Sequence, residues 1–301
     1  MQQVISELQL AQVGDVLRNE PLAPYTTWKV GGPADAIVFP NTKQQLMETV
    51  RILHRHKTPW FIVGRGSNLL VSDEGFHGAV VKLGGSLEHI RFEGNLVYAG
   101  AAYSFIKLSV LAAKEGLTGL EFAGGIPGSV GGAVYMNAGA HGSNVSCVLR
   151  QVEVLLETGE EIVLSNEEML YSYRHSILHQ LPGFVTEAVF ELSFGDRNEI
   201  SGAMAAYKDR RLRTQPLQLA SAGSVFRNPN QQHAAKLIQD AGMKGMRIGG
   251  AEVSTQHANF IVNTGQATAR DILNLMQRIQ AVVLEKFGVH LIPEILKVGE
   301  W

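Results

Sequence analysis

Hydrophobic positions recur with two periods along the chain, and together they predict short strands interleaved with helices. Leu46, Val50 and Leu53 repeat at helical spacing within residues 41–57, and Pro59 follows that segment, as expected where a helix ends. Short apolar runs predict strands on both sides of this helix, at residues 35–40, 60–71 (running into a glycine turn) and 78–83. The first 83 residues therefore predict a unit of β-α-β type.

The remainder of the chain carries the same two patterns. Ser104 is predicted to cap a helix that carries Leu108, Leu111 and Ala112 and stops near Gly116. Further strands are predicted at residues 95–100, at two stretches of 150–164 around Thr158 and Gly159, at 184–192, and at 289–296 with an interruption at Pro293. Further helices are predicted at residues 198–213, 233–242 and 268–288. The first must end before Pro216, Gly242 closes the second, and the third runs from Thr268 to Gly288. Ser165 and Glu168 have the spacing of a capping box. The pattern predicts an α+β protein with mixed sheets and boundaries near residues 83 and 197.

Composition and charge narrow the class of protein. The net charge of −2 gives no electrostatic footprint for nucleic acid or an anionic membrane. The single cysteine, Cys147, excludes an internal disulfide framework and a cysteine-rich metal site, and it is interpreted as inert packing. The N-terminus lacks the pattern of a secretion signal, and no apolar run reaches the roughly 18 residues of a membrane span. We expect a cytoplasmic protein.

Two glycine-containing segments are the first candidates for chemistry. GRGSNLL (residues 64–70) and GGIPGSVGG (residues 124–132) each lie beside apolar strands. Main-chain N–H groups in such segments can point at phosphate oxygens, and glycine lets the backbone approach closely. Leu69 stands where a dinucleotide fingerprint needs its third glycine, and no lysine follows the second segment in P-loop register. Two interpretations remain open: the segments are only tight turns, or they bind a cofactor. The length of the second segment favours a cofactor.

Seven motifs occur in a characteristic order from about Asn19 onward. They are YTTWKVGG (25–32), GRGSNLLVSD (64–73), GGIPGSVGGAVYMNAGA (124–140), YRHS (173–176), AGSVFRNP (222–229), HANFIVN (257–263) and IPEI (292–295). In these motifs the chain resembles the UDP-N-acetylenolpyruvoylglucosamine reductases of bacterial peptidoglycan synthesis. That resemblance implies an FAD-binding fold of the vanillyl-alcohol-oxidase type, with FAD-binding subdomains at residues 1–83 and 84–197. It also implies a substrate-binding domain at 198–301, whose last residues can return to the first subdomain.

The resemblance implies a noncovalent FAD, since the first glycine turn contains no histidine that could tether a flavin. It also implies that NADPH supplies hydride and that the enolpyruvyl ether of UDP-N-acetylglucosamine is reduced to UDP-N-acetylmuramate. Such an oxidoreductase serves cell wall biogenesis, cell shape and cell division. The implied FAD contacts are Gly64, Arg65, Gly66, Ser67, Asn68, Gly125, Ile126, Pro127, Gly128, Ser129, Gly131, Asn137 and Ala140.

Three residues match the family's reacting groups. The resemblance implies that Ser224 donates the proton, that Arg174 neutralises the enolate, and that Glu294, if protonated, donates a hydrogen bond to the substrate carboxylate. From the residues alone, a turn serine is the favoured interpretation of Ser224 and a solvated charge at a helix end that of Arg174, and Glu294 would be a surface acid at a strand edge. The aligned motifs favour the catalytic interpretation for all three.

The candidate substrate contacts are Tyr173, Arg211, His257 and Asn259. Arg211 belongs to the basic run KDRRLR, which fits either a diphosphate contact or a solvated helix face. Strand alternation would place His257, Asn259 and Asn263 on one face, either to hydrogen-bond NADPH or substrate or as satisfied structural groups. No spacing of His, Cys or carboxylates suggests a metal.

One branch of the family carries an insertion with a tyrosine between the Arg and Ser motifs. Only residues 175–223 separate Arg174 from Ser224, so this chain resembles the shorter branch.

Two other functions stay open. A flavin-dependent oxidase of an alcohol or carbohydrate would react rapidly with oxygen, and a nucleotide-sugar binding module would bind no flavin.

Overall fold

The computed structural model describes all of residues 1–301 and divides the chain into two compact units. Unit 1 comprises residues 1–18, 36–64 and 78–210, and unit 2 comprises 19–35, 65–77 and 211–301. The helices are α1 Gln2–Leu10, α2 Lys43–Arg55, α3 Phe105–Lys114, α4 Val130–Tyr135, α5 Arg197–Thr214, α6 Ala234–Asp240 and α7 Ala269–Phe287. Each unit therefore draws on separate stretches of sequence.

Eighteen strands accompany these helices, most of them short. They are β1 Asp15–Pro21, β2 Pro33–Phe39, β3 Trp60–Val63, β4 Leu69–Val71, β5 Phe76–Lys82, β6 Ile90–Glu93, β7 Leu96–Gly100, β8 Leu117–Thr118, β9 Gly139–Ala140, β10 Ser143–Asn144, β11 Leu149–Leu156, β12 Glu161–Ser165, β13 Gly183–Glu191, β14 Ser193–Phe194, β15 Arg247–Ile248, β16 Ala251–Val253, β17 Ile261–Asn263 and β18 Leu296–Val298. Helices and both parallel and antiparallel pairs occur, which confirms the predicted α+β class.

An antiparallel sheet of five strands, in the order β12-β11-β13-β7-β6, dominates unit 1. Its apolar face packs with α3 into one hydrophobic core, in which Phe105, Leu108 and Phe190 are fully buried. Ser104 caps α3 by accepting from the N–H of Lys107, as predicted. A further sheet has the order β1-β2-β5-β3, and β3 runs parallel to β5 with Val63 opposite Lys82.

A second hydrophobic core lies in unit 2, around the long helix α7. Ile272, Met276 and Ile279 of α7 are buried with Trp28, whose indole N–H donates to the carbonyl of Ile261 at 2.7 Å. Thr268 and Asp271 form a capping box at the start of this helix, and its end coincides with a left-handed Gly288. Strand β18 pairs in parallel with β4, with Leu296 opposite Leu69.

Several predictions about the elements are confirmed and others are wrong. Helices α2, α3, α5, α6 and α7 and the strands within 35–39, 60–63, 76–82, 96–100, 149–165 and 183–191 lie where the periods placed them. Ser165 and Glu168 exchange the hydrogen bonds of a capping box, but turns follow instead of a helix, and Leu170 takes a left-handed conformation (φ +45°) that a helix excludes. The strand predicted at 289–296 is wrong, because regular pairing begins only at Leu296.

The predicted boundaries near residues 83 and 197 both lie inside unit 1. A compact unit can contain two subdomains, so the three-segment division stays a prediction. None of the helices combines the length and hydropathy that crossing a membrane requires.

Candidate functional site

The first glycine turn (residues 64–70) connects β3 to β4. Gly66 has a positive φ of +62°, and a Cβ at this position would lie 2.1 Å from the carbonyl oxygen of Tyr25. No other residue fits there, because both the backbone conformation and the contact exclude a side chain. The turn is therefore tightly packed at Gly66, which is buried, with Arg65 exposed and Ser67 and Asn68 half-buried.

Gly64 of this turn lies against the glycine-rich segment (residues 121–140). A Cβ on Gly64 would lie 2.4 Å from the hydroxyl oxygen of Ser129, which is itself buried and caps α4 by accepting from the N–H of Gly132. The ammonium of Lys82 donates to the carbonyl of Gly64. The sequence alone does not indicate Lys82 as a site residue, because only the parallel pairing of β3 with β5 brings it to this turn.

The glycine-rich segment consists of a short 3₁₀ turn, a loop and the helix α4, followed by β9. Gly125 ends a short 3₁₀ turn, Ile126, Pro127 and Gly128 form a loop, and Gly131 lies in α4. A Cβ on Gly131 would lie 3.0 Å from the Cβ of Ala101, so the helix approaches Ala101 closely there. Asn137 leaves α4 in a left-handed conformation, and Ala140 lies in β9.

The Arg174 turn (residues 172–175) is a tight reversal with Tyr173 and Arg174 at its tip. Ser172 and His175 exchange both main-chain hydrogen bonds, at 3.1 and 3.2 Å. Arg174 has a φ of +56°, and its Nη2 donates to the carbonyl of Gly139 at 2.9 Å. Tyr173 is exposed, and the guanidinium carbon of Arg174 lies 5.1 Å from its ring centroid. Within unit 1, the predicted arginine thus lies against the glycine-rich segment.

Ser224 and Glu294 come together within unit 2 through main-chain hydrogen bonds. The N–H of Glu294 donates to the carbonyl of Val225 at 2.8 Å, and Phe226 forms a β-bridge with Pro293. Because Ser224 precedes Val225 directly, it lies close to Glu294 along this main-chain pairing. Both residues are half-buried.

Asn68 of the first glycine turn joins this pair within the same unit. Its side-chain amide donates to the carbonyl of Glu294 at 3.1 Å, and its own carbonyl accepts from the N–H of Leu296 at 2.9 Å. A predicted FAD contact and two predicted reacting residues are thus neighbours, although they are far apart in the sequence.

Among the candidate substrate contacts, Arg211 lies at the end of a helix and His257 lies outside the helices and strands. Arg211 lies in the last turn of α5, where burial lowers its pKa and its Nε donates to Gln215 at 2.9 Å. His257 accepts the N–H of Asn259 at Nδ1, which leaves the ring proton on Nε2. Burial and then the charge of Lys244 lower the pKa of His257, so its ring is a neutral donor at neutral pH.

The polar ladder predicted for residues 257–263 is wrong. His257 and Asn259 lie in a turn, because the Ser254 hydroxyl accepts from the N–H groups of Gln256 and His257, and only Ile261–Asn263 forms a strand. The buried amide of Asn259 bonds both the N–H and the carbonyl of Phe226, at 3.0 and 2.8 Å. These bonds give Asn259 a structural role beside the segment that carries Ser224.

Comparison with known proteins first identifies the class of protein to which this chain belongs. Residues 34–165 match the family model of an FAD binding domain. The fold is shared with berberine bridge enzyme from Eschscholzia californica, at a TM-score of 0.50 and 12% identity, over 64% of this chain and 44% of that one. The fold and the glycine segments define an FAD-binding protein.

The particular family follows from closer relatives. Residues 215–298 match the C-terminal domain of UDP-N-acetylenolpyruvoylglucosamine reductase. The chain is 50% identical to the reductase of that name from Bacillus licheniformis, over 100% of this chain and 99% of the relative. Its sequence is 37% identical to that of the reductase from Thermus caldophilus, whose crystal structure it matches with a TM-score of 0.82. The match covers 95% of this chain and 98% of that one. The chain belongs to the UDP-N-acetylenolpyruvoylglucosamine reductase family.

Proposed function

We propose that this protein reduces UDP-N-acetylenolpyruvoylglucosamine to UDP-N-acetylmuramate, with bound FAD and with NADPH as the source of hydride. The observation that carries the proposal is the main-chain pairing that places Ser224 beside Glu294, next to Asn68 of the first glycine turn. A hydroxyl and a carboxyl group beside a turn that would hold the cofactor suit a proton donor that works next to that cofactor. The reaction belongs to peptidoglycan precursor synthesis, and we place it in the cytoplasm.

The residues present fit FAD. The two glycine segments are closely packed: a Cβ at Gly64 would collide with the hydroxyl of Ser129 in the second segment, and a Cβ at Gly66 would collide with the carbonyl of Tyr25. Main-chain N–H groups in tight glycine turns can bind phosphate oxygens, and FAD carries a diphosphate. Residues 64–68 would hold that diphosphate, and Gly125, Ile126, Pro127, Gly128, Ser129, Gly131 and Ala140 would line the rest of the cofactor. When bound, FAD supplies the hydride chemistry.

Lys82 extends this set by one cation. Its ammonium donates to the carbonyl of Gly64, so a positive charge lies at the turn that would hold two phosphate groups. A charge-assisted contact at this place stabilises a bound anion more strongly than neutral main chain alone. We assign Lys82 to the binding of the FAD diphosphate.

The protein's own contribution to the reaction is a proton and two stabilising groups. Ser224 gives its hydroxyl proton to the substrate carbon that carries the carboxylate. Negative charge that develops there is stabilised by the guanidinium of Arg174 and, when the carboxyl group of Glu294 carries a proton, by a hydrogen bond from Glu294. A serine hydroxyl is a weak acid in water, so its position and its neighbours must make up for its low acidity.

The nucleotide part of the substrate needs its own contacts. We assign the half-buried cation of Arg211, the neutral Nε2–H of His257 and the exposed ring of Tyr173 to this task. Asn259 contributes through the Phe226 main chain that it holds.

Anaerobic spectroscopy tests the proposal. NADPH added to the purified yellow protein should bleach the flavin absorbance, and the enolpyruvyl nucleotide added next should restore it with formation of UDP-N-acetylmuramate. Recovery with oxygen but not with the nucleotide would favour an oxidase. A protein that stays colourless after incubation with FAD would favour a binding module without redox chemistry.

A further inference from the structure

The Arg174 turn has attachments to the glycine-rich segment that the proposed reaction does not use. Asn137, which is 5% exposed, donates from Nδ2 to the carbonyl of Ser172 at 3.0 Å. Its Oδ1 accepts from the N–H of Ser146, also at 3.0 Å. The side chain thus bonds the first residue of the Arg174 turn and is occupied at both ends of its amide.

Ser176 provides a second attachment on the other side of the turn. It is fully buried, and its hydroxyl donates to the carbonyl of Tyr135 at 2.7 Å. The ring of Tyr135 stacks on His179 with centroids 4.2 Å apart, and His179 stacks on His175 at 4.7 Å. Both ends of the turn are therefore fixed to the last residues of α4 and the residues just after it.

We propose that Asn137 and Ser176 are positioning residues that hold Arg174 in place for the reaction. The inference rests on the proposed function, and it changes the role of Asn137. Its side chain supports the arginine turn, whereas the family resemblance implied a contact with FAD. The guanidinium sits on the carbonyl of Gly139, two residues beyond Asn137, so the same stretch of chain fixes both the base and the tip of the turn.

The physical reason is the cost of misplacing a charge. A long arginine side chain loses much conformational freedom when its guanidinium is fixed, and a rigid turn lowers that loss at the moment of reaction. A displacement of about 1 Å can slow an enzymatic step by roughly 100-fold. Arg174 also has a positive φ, which the surrounding bonds must maintain.

The test measures the reoxidation of pre-reduced flavin by the enolpyruvyl nucleotide in single turnover. Asn137→Asp keeps the acceptor for Ser146 and tolerates φ +44°, but it loses the donor to Ser172. Ser176→Ala loses the bond to Tyr135. Each should slow reoxidation about 10- to 100-fold, while flavin reduction by NADPH and FAD affinity change less than about 3-fold.

The same substitutions in an Arg174→Asn background separate positioning from general damage. Asparagine tolerates the left-handed conformation of position 174 and lacks the charge. If Asn137 and Ser176 act through Arg174, their substitution should change the rate less than about 3-fold in this background. An equal loss in both backgrounds, or a loss confined to FAD affinity, would overturn the proposal.

A matched control exists in the same unit. Ser109 is 1% exposed and donates to the carbonyl of Leu120 at 2.7 Å, so Ser109→Ala removes a similar buried bond away from the Arg174 turn. It should leave reoxidation within about 3-fold of the parent. If Asn137→Asp does not fold, Asn137→Gly removes the donor to Ser172 together with the acceptor for Ser146, and the same result is expected. Failure of the parent protein to reduce the nucleotide would instead reject the proposed function.

Discussion

The two regions that carry the proposed reacting groups are built in different ways. The Arg174 turn in unit 1 depends on side-chain bonds from Asn137 and Ser176 and on a left-handed residue at its tip. In the neighbourhood of Ser224 and Glu294 in unit 2, main-chain bonds join the two segments directly, and side-chain bonds from Asn68 and Asn259 add to them. A single substitution can remove a side-chain bond but leaves main-chain pairing in place, so the two regions should respond differently to mutation.

The largest effect is expected where the hydroxyl itself is removed. Ser224→Ala leaves the pairing of Val225 with Glu294 intact, so the site keeps its shape but loses the proton donor. Substrate reduction should slow by more than about 10⁴-fold, because water does not easily replace a donor in a closed site. Flavin reduction by NADPH, followed in stopped flow, should stay nearly unchanged. Equal slowing of both half-reactions would show that the role of Ser224 is wrong.

Glu294 should show the next largest effect. Glu294→Ala removes a proposed hydrogen-bond donor to the substrate carboxylate and should slow substrate reduction about 10²- to 10³-fold. Glu294→Gln retains a donor of similar shape and should cost only about 10-fold. The comparison is made on single-turnover rates. Equal losses in the two variants would argue for a role of the negative charge in place of a donated hydrogen bond.

Lys82 tests the cofactor side of unit 1. Lys82→Met removes a charged donor at Gly64 and should raise the dissociation constant of FAD about 10- to 150-fold, because a charged hydrogen bond contributes about 1.5–3 kcal/mol. Flavin fluorescence measures this constant. The control Lys236→Met removes an exposed lysine that pairs with Asp240 on α6, and it should bind FAD like the parent. Similar affinity in both variants would exclude Lys82 from the diphosphate site.

The smallest effect on rate is expected from Asn259, even though its substitution affects stability. Asn259→Ala leaves the buried N–H and carbonyl of Phe226 without their partner, which costs about 1–3 kcal/mol. The main-chain bond between Glu294 and Val225 remains, so the rate of substrate reduction should stay within about 3-fold. Thermal unfolding and single-turnover kinetics check the two parts. A large loss of rate at unchanged stability would contradict the main-chain account of this region.

Local patterns predicted the regular elements well. Helices α2 and α7 carry a clear helical period with capping residues at their starts, Thr42 and Thr268, and local sequence is sufficient for both. Helix α4 was not predicted, because glycine disfavours helices and this one depends on packing against Ala101.

The site was less accessible to local reasoning. The family resemblance supplied Ser224, Arg174 and Glu294, but their surroundings depend on pairing between distant segments. Nothing near Lys82 in the sequence indicates that it reaches Gly64, and nothing near Ser176 indicates its bond to Tyr135. Asn259 and His257 were placed on a strand because alternation alone does not reveal that Ser254 turns the chain.

The most direct test of the central claim follows the proton that Ser224 donates. The reaction is run in D₂O with NADPH, and the product is analysed by nuclear magnetic resonance. The account predicts one deuterium, in a single configuration, at the carbon that carries the carboxylate. Protium at that carbon, or a mixture of both configurations, would contradict delivery of the proton by a positioned hydroxyl.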